Sequence, residues 1–307
     1  MACSGWRRRR RALSVSGYVW LNGSLLLRSE ASVPIDDRGF LHGAACFETL
    51  RAFGGSVFRL GRHLDRLEAG LRAMGAEAPP REVLEAAIAE MLEANGLLEA
   101  RVRLTVSAGT DGGRPGLEPA APFVLVTAQP VSEAVEPARA LVARGTRVTA
   151  DRPLPFAKTV NYLGPLLALE EARRAGLDQA LLLDLDGAVV EASTANVFAV
   201  LAGEDGEVLL VTPPLEAGAL PGVTREAVLE CARGLGLETA ERRLPLADLL
   251  AAREALLTNS IVGVQPLAEL RDGERSRELE APGPVTRALV EAYREVVARE
   301  CGVAPSA

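Results

Sequence analysis

One residue type is almost absent from this chain, and its scarcity is informative. Of the 34 lysine and arginine residues, Lys158 is the only lysine. Arginine supplies surface positive charge equally well, but its guanidinium stays protonated and cannot act as a nucleophile or general base. Lys158 is therefore a candidate for covalent or general-base chemistry. On composition alone, an isolated surface lysine explains the observation equally well.

Other side chains that do chemistry are few, and this excludes several classes of site. Only two histidines, His42 and His63, and four scattered cysteines are present, so we expect neither a metal centre nor a disulfide framework. The 307 residues carry 41 acidic groups and a net charge of −7. That balance fits a cytoplasmic enzyme better than a nucleic-acid-binding protein. No run approaches the roughly 20 apolar residues that cross a bilayer.

Two further features could act together with Lys158. A turn over 218–222 enters a helix at Val223 and Thr224, whose free backbone N–H groups favour an anion such as phosphate, although a plainly capped helix is the commoner meaning of that sequence. Glu191 is a carboxylate between two predicted strands, where a solvated edge residue is the default interpretation. An amine, a phosphate-binding helix start and an acid are together what pyridoxal 5'-phosphate requires. A Walker phosphate loop is excluded, because Ala157 and not glycine precedes the lysine.

Hydrophobic periodicity predicts the elements that must position these residues. We predict an α+β first half, and a second half in which strands alternate with helices. The predicted helices cover 62–76, 81–95, 164–175, 223–234 and 284–300. The predicted strands cover 18–23, 24–27, 46–53, 56–60, 101–107, 123–127, 180–184, 196–200, 207–211 and 254–258.

Composition along the chain predicts its domain organisation. Five consecutive arginines, Arg7 to Arg11, lie in a leader over 1–15 that we expect to be disordered, and no apolar stretch follows them as a cleaved signal would require. A proline-rich polar stretch predicts a linker. The predicted units are the leader over 1–15, an N-terminal α+β domain over 16–129, the linker over 130–137 and a C-terminal cofactor-binding domain over 138–307.

Six segments in order resemble the class IV aminotransferase family, the fold type IV pyridoxal-phosphate enzymes. They are 37–43 (DRGFLHG), 47–51 (FETLR), 63–67 (HLDRL), 158–163 (KTVNYL), 191–198 (EASTANVF) and 220–225 (LPGVTR). The resemblance implies a two-domain α+β and α/β fold, with a smaller N-terminal domain and a larger pseudo-barrel C-terminal domain. The chain differs from the family's usual motifs at two places, Gly-Ala-Ala over 43–45 and Glu-Ala-Ser over 191–193. These differences bear on the expected local geometry more than on the expected use of the cofactor.

The resemblance also implies roles for individual residues. Lys158 matches the lysine that forms the Schiff base, Glu191 matches the partner of the pyridine nitrogen, and Arg66 matches the arginine that binds the phosphate. Without the resemblance, Arg66 would be interpreted as a solvated helix residue. The remaining cofactor contacts implied are Val223 and Thr224 at the helix start, Tyr162 beside the phenolic oxygen, and Ser260.

Three local features favour one activity within the family, which includes branched-chain and D-amino acid transaminases and 4-amino-4-deoxychorismate lyase. Two residues separate Lys158 from Asn161, as in the lyase and the D-amino acid enzymes. The stretch 107–117 lacks the histidine of the D-amino acid carboxylate trap. The segment 258–260 (TNS) resembles the lyase. We therefore expect a pyridoxal-phosphate-dependent lyase of folate biosynthesis, with His42, Arg114 and Asn259 as candidate substrate contacts.

Two alternatives remain open at this stage. A class IV transaminase acting on branched-chain or D-amino acids would share the fold and the cofactor and differ only in pocket residues. A non-catalytic binding protein could keep the scaffold, although retention of the only lysine at the Schiff-base position argues against that. The resemblance implies a small-molecule amino substrate and a homodimer, without nucleic-acid or membrane partners.

Overall fold

The architecture comes from a computed structural model, which describes residues 17–110, 121–131, 135–151, 154, 156–203 and 206–304. The predicted leader over 1–15 and the candidate substrate contact Arg114 lie outside the described residues. None of the helices within these ranges is both long and apolar enough to cross a bilayer.

The first part of the chain forms an antiparallel six-stranded sheet covered on one face by helices. Its strand order is β2-β1-β6-β5-β3-β4. Alternate β3 residues, including Cys46 and Leu50, pack against Leu64 and Leu67 of helix α2 in one hydrophobic core. The elements are β1 (Tyr18–Leu21), β2 (Ser24–Leu27), α1 (Arg38–His42), β3 (Ala45–Phe53), β4 (Ser56–Val57), α2 (Leu60–Ala73), α3 (Arg81–Ala94), β5 (Ala100–Ser107) and β6 (Phe123–Pro130).

The second part forms a ten-stranded mixed sheet with order β12-β11-β10-β14-β15-β7-β8-β9-β13, and β16 pairs with β15. Strands distant in this order, such as β11 and β9, contribute to one hydrophobic cluster, so the sheet curls around it. The strands are β7 (Ala138–Arg147), β8 (Gln179–Leu183), β9 (Ala188–Ala192), β10 (Asn196–Ala202), β11 (Val208–Thr212), β12 (Glu238–Glu241), β13 (Leu244–Pro245), β14 (Glu254–Asn259), β15 (Gly263–Asp272) and β16 (Arg275–Glu278).

Four helices accompany the second sheet, and two of them cover one of its faces. Phe198 and Leu256 on that face pack against α5 and α7. Helix α5 begins where the cofactor argument needs it, at Val223. The helices are α4 (Leu163–Arg174), α5 (Val223–Gly234), α6 (Leu246–Ala251) and α7 (Pro284–Cys301).

Comparison with the predicted elements shows where periodicity succeeds and fails. All five predicted helices are confirmed within a few residues. The strand predicted over 56–60 is wrong beyond Val57, because Leu60 already begins α2. Glu191 lies within β9 and not between strands. Strand β15 was missed because Pro266 interrupts its pattern, and proline normally argues against an interior strand.

The predicted linker over 130–137 falls between two strands, since β6 ends at Pro130 and β7 begins at Ala138. The division into domains stays a prediction.

Candidate active site

The backbone of Lys158 is held by the first sheet. The Lys158 carbonyl accepts a hydrogen bond from the N–H of Phe47 (2.8 Å), and the N–H of Val160 donates to the carbonyl of Ala45 (3.0 Å). Residue 159 forms an antiparallel bridge with Cys46. The segment with the only lysine is therefore bridged to β3 by hydrogen bonds on both sides of residue 159, which fixes the base of this side chain.

Two aromatic rings surround the Lys158 amine. Nζ lies 4.7 Å from the ring centroid of Phe47 and 5.2 Å from that of Tyr162. The two rings meet edge to face at 5.7 Å, an arrangement that aromatic pairs favour. On the adjacent strand, the guanidinium of Arg103 stacks over Phe47 at 3.8 Å. The amine thus lies in a partly apolar pocket with a second cation nearby.

The environment makes Lys158 less basic than an ordinary lysine. Burial lowers the pKa of its ammonium to about 8, and the positive charges of Arg66 and Arg103 act in the same direction. The carboxylates of Glu48 and Glu191 oppose this effect. These four charges all act on Lys158, so they converge on one site. A lysine with a depressed pKa is a competent nucleophile near neutral pH.

We expect the Lys158 amine of the cofactor-free protein to titrate near pH 8. Because the pKa is lowered, the neutral amine accumulates as pH rises through about 8, against about 10.4 for an ordinary lysine. Labelling with ¹³C-lysine gives a single-site NMR signal, whose Cε shift reports the titration directly. In an Arg174→Lys variant, a second, exposed lysine should titrate near the ordinary value. A Lys158 midpoint near 10 contradicts the prediction.

Glu191 is fixed by the loop that leads to α5. Its Oε2 accepts a hydrogen bond from the backbone N–H of Leu220 (3.0 Å). Tyr162 is bound to the end of β9, the strand that carries Glu191, because its hydroxyl donates a hydrogen bond to the carbonyl of Ser193 (2.7 Å). The carboxylate and the phenol therefore both have defined orientations beside Lys158.

The start of α5 is shaped as an anion site. Val223 and Thr224 are buried, and Gly222 at the N-cap supplies no capping side chain, so the first N–H groups of the helix are available to a ligand. A Cβ at Gly222 would lie 2.0 Å from Oδ1 of Asn196. Asn196 in turn donates to the Leu220 carbonyl (2.9 Å). Glycine is required here by this close approach.

Arg66 contacts both this helix start and the first sheet. Its Nη1 donates to the carbonyl of Pro221 (2.7 Å), and its Nε and Nη2 donate to the two carboxylate oxygens of Glu48 (2.8 and 2.5 Å). The side chain is 9% exposed. Arg66 is therefore not a solvated helix residue, as its local sequence alone suggested. Its buried position fits the role that the family resemblance implies.

The candidates Asn259 and Ser260 lie in the turn over 258–262, and their proposed contacts stay predictions. The Asn259 Oδ1 accepts the N–H groups of Ile261 (2.9 Å) and Val262 (3.1 Å), so that oxygen builds the turn that carries Ser260. Thr258 pairs in register with Asn196, which places this strand end beside the 220–222 loop. His42 is exposed at the end of α1. The contacts made by the described residues include none between His42 and the residues of the site.

Sequence reasoning missed three site residues. Phe47 and Arg103 project from the same face of paired strands, whereas Glu48 projects from the other face towards α2. For Arg103, a signal was available in the alternation of β5, whose apolar residues are Val102, Leu104 and Val106. The three residues were overlooked because none of them stands out by residue type.

The residues present fit pyridoxal 5'-phosphate. The donor set has one amine of lowered pKa, one oriented carboxylate, and an arginine at a helix start that offers free N–H groups. These groups match an aldehyde, a pyridine nitrogen and a phosphate, respectively. The buried hydroxyl of Thr258 adds an orphaned donor beside that loop, since it has no hydrogen-bond partner within the described chain. No cluster of three or more histidine, cysteine, aspartate or glutamate side chains that could hold a metal occurs among the described residues.

Similarity to known proteins agrees with this site. The solved branched-chain aminotransferase of Thermoproteus uzoniensis with norvaline superposes with a TM-score of 0.84 at 32% identity, covering 93% of this chain and 96% of that one. The branched-chain amino acid aminotransferase of Escherichia coli gives a TM-score of 0.80 at 29% identity, covering 91% and 93%. A further branched-chain aminotransferase was solved in complex with N-(5'-phosphopyridoxyl)-L-glutamate. It superposes with a TM-score of 0.81 at 28% identity, covering 94% of this chain and 96% of that one.

A sequence relative of another activity also matches most of the chain, although it is a weaker match than the branched-chain aminotransferases. The aminodeoxychorismate lyase of Bacillus subtilis is 31% identical over 288 residues, which cover 91% of this chain and 94% of that protein. The family model described as amino-transferase class IV matches residues 45–270. With Lys158, Glu191 and the α5 start all inside the matched region, the chain belongs to the class IV aminotransferase family.

Proposed function

We propose that the protein is a lyase of this family, which converts 4-amino-4-deoxychorismate into 4-aminobenzoate and pyruvate in folate biosynthesis. Enzymes of the family use pyridoxal 5'-phosphate, which accepts the electron pair of a bond broken at the substrate carbon that bears the amine. The site contributes the amine, the carboxylate and the anion-binding helix start described above.

The proposed roles follow from the position of each side chain. Lys158 would hold the cofactor through its side-chain nitrogen, and its free neutral amine would take the proton from the substrate carbon. Glu191 would hold a proton on the pyridine nitrogen, and Arg66 would direct N–H groups to the phosphate. Further proposed cofactor contacts are Val223, Thr224, Tyr162 and Ser260, and proposed substrate contacts are His42, Arg114 and Asn259.

The observation that carries the lyase proposal is the turn over 258–262. Its Asn259 side chain orders the backbone through two hydrogen bonds, so the residue that resembles the lyase segment is integral to the turn. Arg103 supports the same proposal, because it adds a cation near Lys158 that a substrate with two carboxylates can use. The Lys158-to-Asn161 spacing agrees with both.

A transaminase is the second candidate, and the similarity to branched-chain aminotransferases favours it. The apolar lining by Phe47 and Tyr162 would also suit an aliphatic amino acid. The two candidates share every proposed cofactor contact. They differ in whether the substrate loses its ring substituent or exchanges its amine for a ketone.

An activity panel on the cofactor-loaded protein tests the proposal. We expect 4-aminobenzoate and pyruvate in equal amounts from aminodeoxychorismate, and no keto acid from leucine, valine, L-alanine or D-alanine with 2-oxoglutarate. The Lys158→Ala variant is the matched control for uncatalysed product. Keto-acid formation from several donors, without 4-aminobenzoate, would replace the lyase by the transaminase.

We also propose a homodimer located in the cytoplasm. The exposed leucines Leu163, Leu166 and Leu167 on α4 support burial of this surface against a second copy. The exposed Phe40 on α1 is a further apolar side chain that a second copy could cover. The described cysteines Cys46, Cys231 and Cys301 are free thiols, as is usual in reducing compartments. Sedimentation of the purified protein measures the assembly.

A further inference from the structure

A charged cluster lies directly behind the proposed phosphate-binding arginine. Glu48 lies on the face of β3 that otherwise belongs to the hydrophobic core, and it is completely buried. Its two oxygens accept the Nε and Nη2 groups of Arg66 (2.8 and 2.5 Å), and Nδ1 of His63 lies 2.7 Å from Oε2. We refer to Glu48, His63 and Arg66 as the Glu48 cluster.

Burial and hydrogen bonding act on the pKa values within the Glu48 cluster. Burial on its own would raise the pKa of Glu48, but the charge and hydrogen bonds of Arg66, with a smaller contribution from His63, lower it to about 2. Burial lowers the pKa of His63, so the imidazole is neutral near pH 7. Because a carboxylate only accepts hydrogen bonds, Nδ1 of His63 carries the proton.

Stability alone gives a poor reason for such a cluster. Burying an ion pair loses about as much hydration free energy as the attraction returns, and apolar side chains of similar volume usually stabilise a core as well. What the Glu48 cluster achieves is orientation. A carboxylate that accepts two parallel N–H groups fixes the plane of a guanidinium, and His63 fixes the carboxylate.

The orientation has a direct consequence at the helix start. A guanidinium carries five N–H groups. Glu48 accepts two of those of Arg66 and the Pro221 carbonyl accepts a third. The N–H groups that remain belong to Nη1 and Nη2, and Pro221 directly precedes the Gly222 N-cap of α5. Arg66 is therefore anchored on two sides while it keeps donors for an anion at that helix start.

We propose that Glu48 and His63 are positioning residues that hold Arg66 against the start of α5, so that its remaining N–H groups meet the phosphate of the cofactor. The inference rests on the family's cofactor and on the proposed role of Arg66. It is independent of the choice between lyase and transaminase. In this proposal Glu48 and His63 act through Arg66 and not by contact with the cofactor.

The test compares ligands with and without phosphate on the cofactor-free protein. For Glu48→Gln, we expect the dissociation constants of pyridoxal 5'-phosphate and of inorganic phosphate to rise about tenfold to a hundredfold, because charge-assisted hydrogen bonds of that strength are lost. The Glu48 charge also raises the pKa of Lys158, so pyridoxal binding is measured above pH 9, where the amine is neutral in both proteins. There the dissociation constant of pyridoxal, which lacks phosphate, should stay unchanged. The matched control is Glu68→Gln on α2, which breaks the ion pair of Glu68 with Arg81 of α3 (2.6 Å). This variant should leave all three dissociation constants unchanged.

A double-mutant cycle separates positioning from a general structural role. If Glu48 acts through Arg66, adding Glu48→Gln to Arg66→Gln should weaken phosphate binding no further. His63→Gln, which leaves the Glu48 charge in place, should give a smaller loss in the same direction. It serves as the variant if Glu48→Gln fails to fold, as judged by circular dichroism.

The outcomes are distinguishable from failure of the proposed function. Equal weakening of pyridoxal and pyridoxal 5'-phosphate binding, or additive effects in the cycle, overturns the proposal, as does unchanged phosphate binding. A wild-type protein that binds neither phosphate ligand overturns it together with the cofactor contacts. Absence of 4-aminobenzoate from a protein that passes the binding tests rejects the lyase alone.

Discussion

Replacing Lys158 with arginine is expected to abolish covalent attachment of pyridoxal 5'-phosphate and to lower kcat by at least about 10⁴-fold. Arginine keeps the positive charge and much of the length of the side chain, but its guanidinium does not lose a proton near neutral pH. No other lysine in the chain can substitute, because Lys158 is the only one. Borohydride reduction of the loaded protein, followed by peptide mass spectrometry, measures attachment independently of activity.

A lysine placed elsewhere provides the control for this experiment. Arg174 is an exposed α4 residue that pairs with Glu170 (3.1 Å), and Arg174→Lys should leave the label entirely on the peptide of Lys158. Combining Arg174→Lys with Lys158→Arg should remove the label. A label at position 174 in either protein would mean that any lysine reacts, and the assignment of Lys158 would be lost.

Replacing Glu191 with glutamine is expected to lower kcat by about 10²- to 10³-fold, the typical cost of losing one preorganised electrostatic contact in an active site. The amide is isosteric and its oxygen can still accept the Leu220 N–H, so the loop that leads to α5 should keep its position. What is lost is the negative charge that keeps a pyridine nitrogen protonated. The same charge raises the pKa of Lys158, so its NMR titration midpoint should also move below that of the wild-type protein.

Two measurements make this prediction specific. The dissociation constant of inorganic phosphate should change little in Glu191→Gln, because the phosphate end of the site is intact. The control Glu295→Gln removes an exposed carboxylate from α7 and should leave kcat and the Lys158 midpoint unchanged. Full activity in the Glu191 variant would remove this residue from the proposed machinery.

The helices were the most predictable part of the fold, for a physical reason. A 3.6-residue apolar period is readable from local sequence, and α2 and α5 each bury one such stripe. Strands in the curled second sheet are buried on both faces and lose their alternation. For this reason β9, which carries Glu191, could not be told from a loop before the pairing of β8 with β9 was known.

The predictability of the site residues depended on their type. Composition made Lys158 a candidate, because a single amine among arginines is an unusual distribution, but the family motif was needed to favour it over a surface lysine. Arg66 could be placed only by resemblance, since arginines on exposed helix faces have the same local sequence pattern. Glu48 and Arg103 were not identified, because their importance comes from partners that are distant in the sequence. Such contacts arise from tertiary structure, which local patterns do not contain.

The anchoring of residue 158 on β3 has a mechanical consequence. The amine is carried by the smaller sheet, whereas Glu191 and the start of α5 belong to the larger one. A molecule that binds to Lys158, Glu191 and the start of α5 contacts both sheets and links them. Because such a molecule binds only when the halves are aligned, its concentration sets how strongly they resist separation.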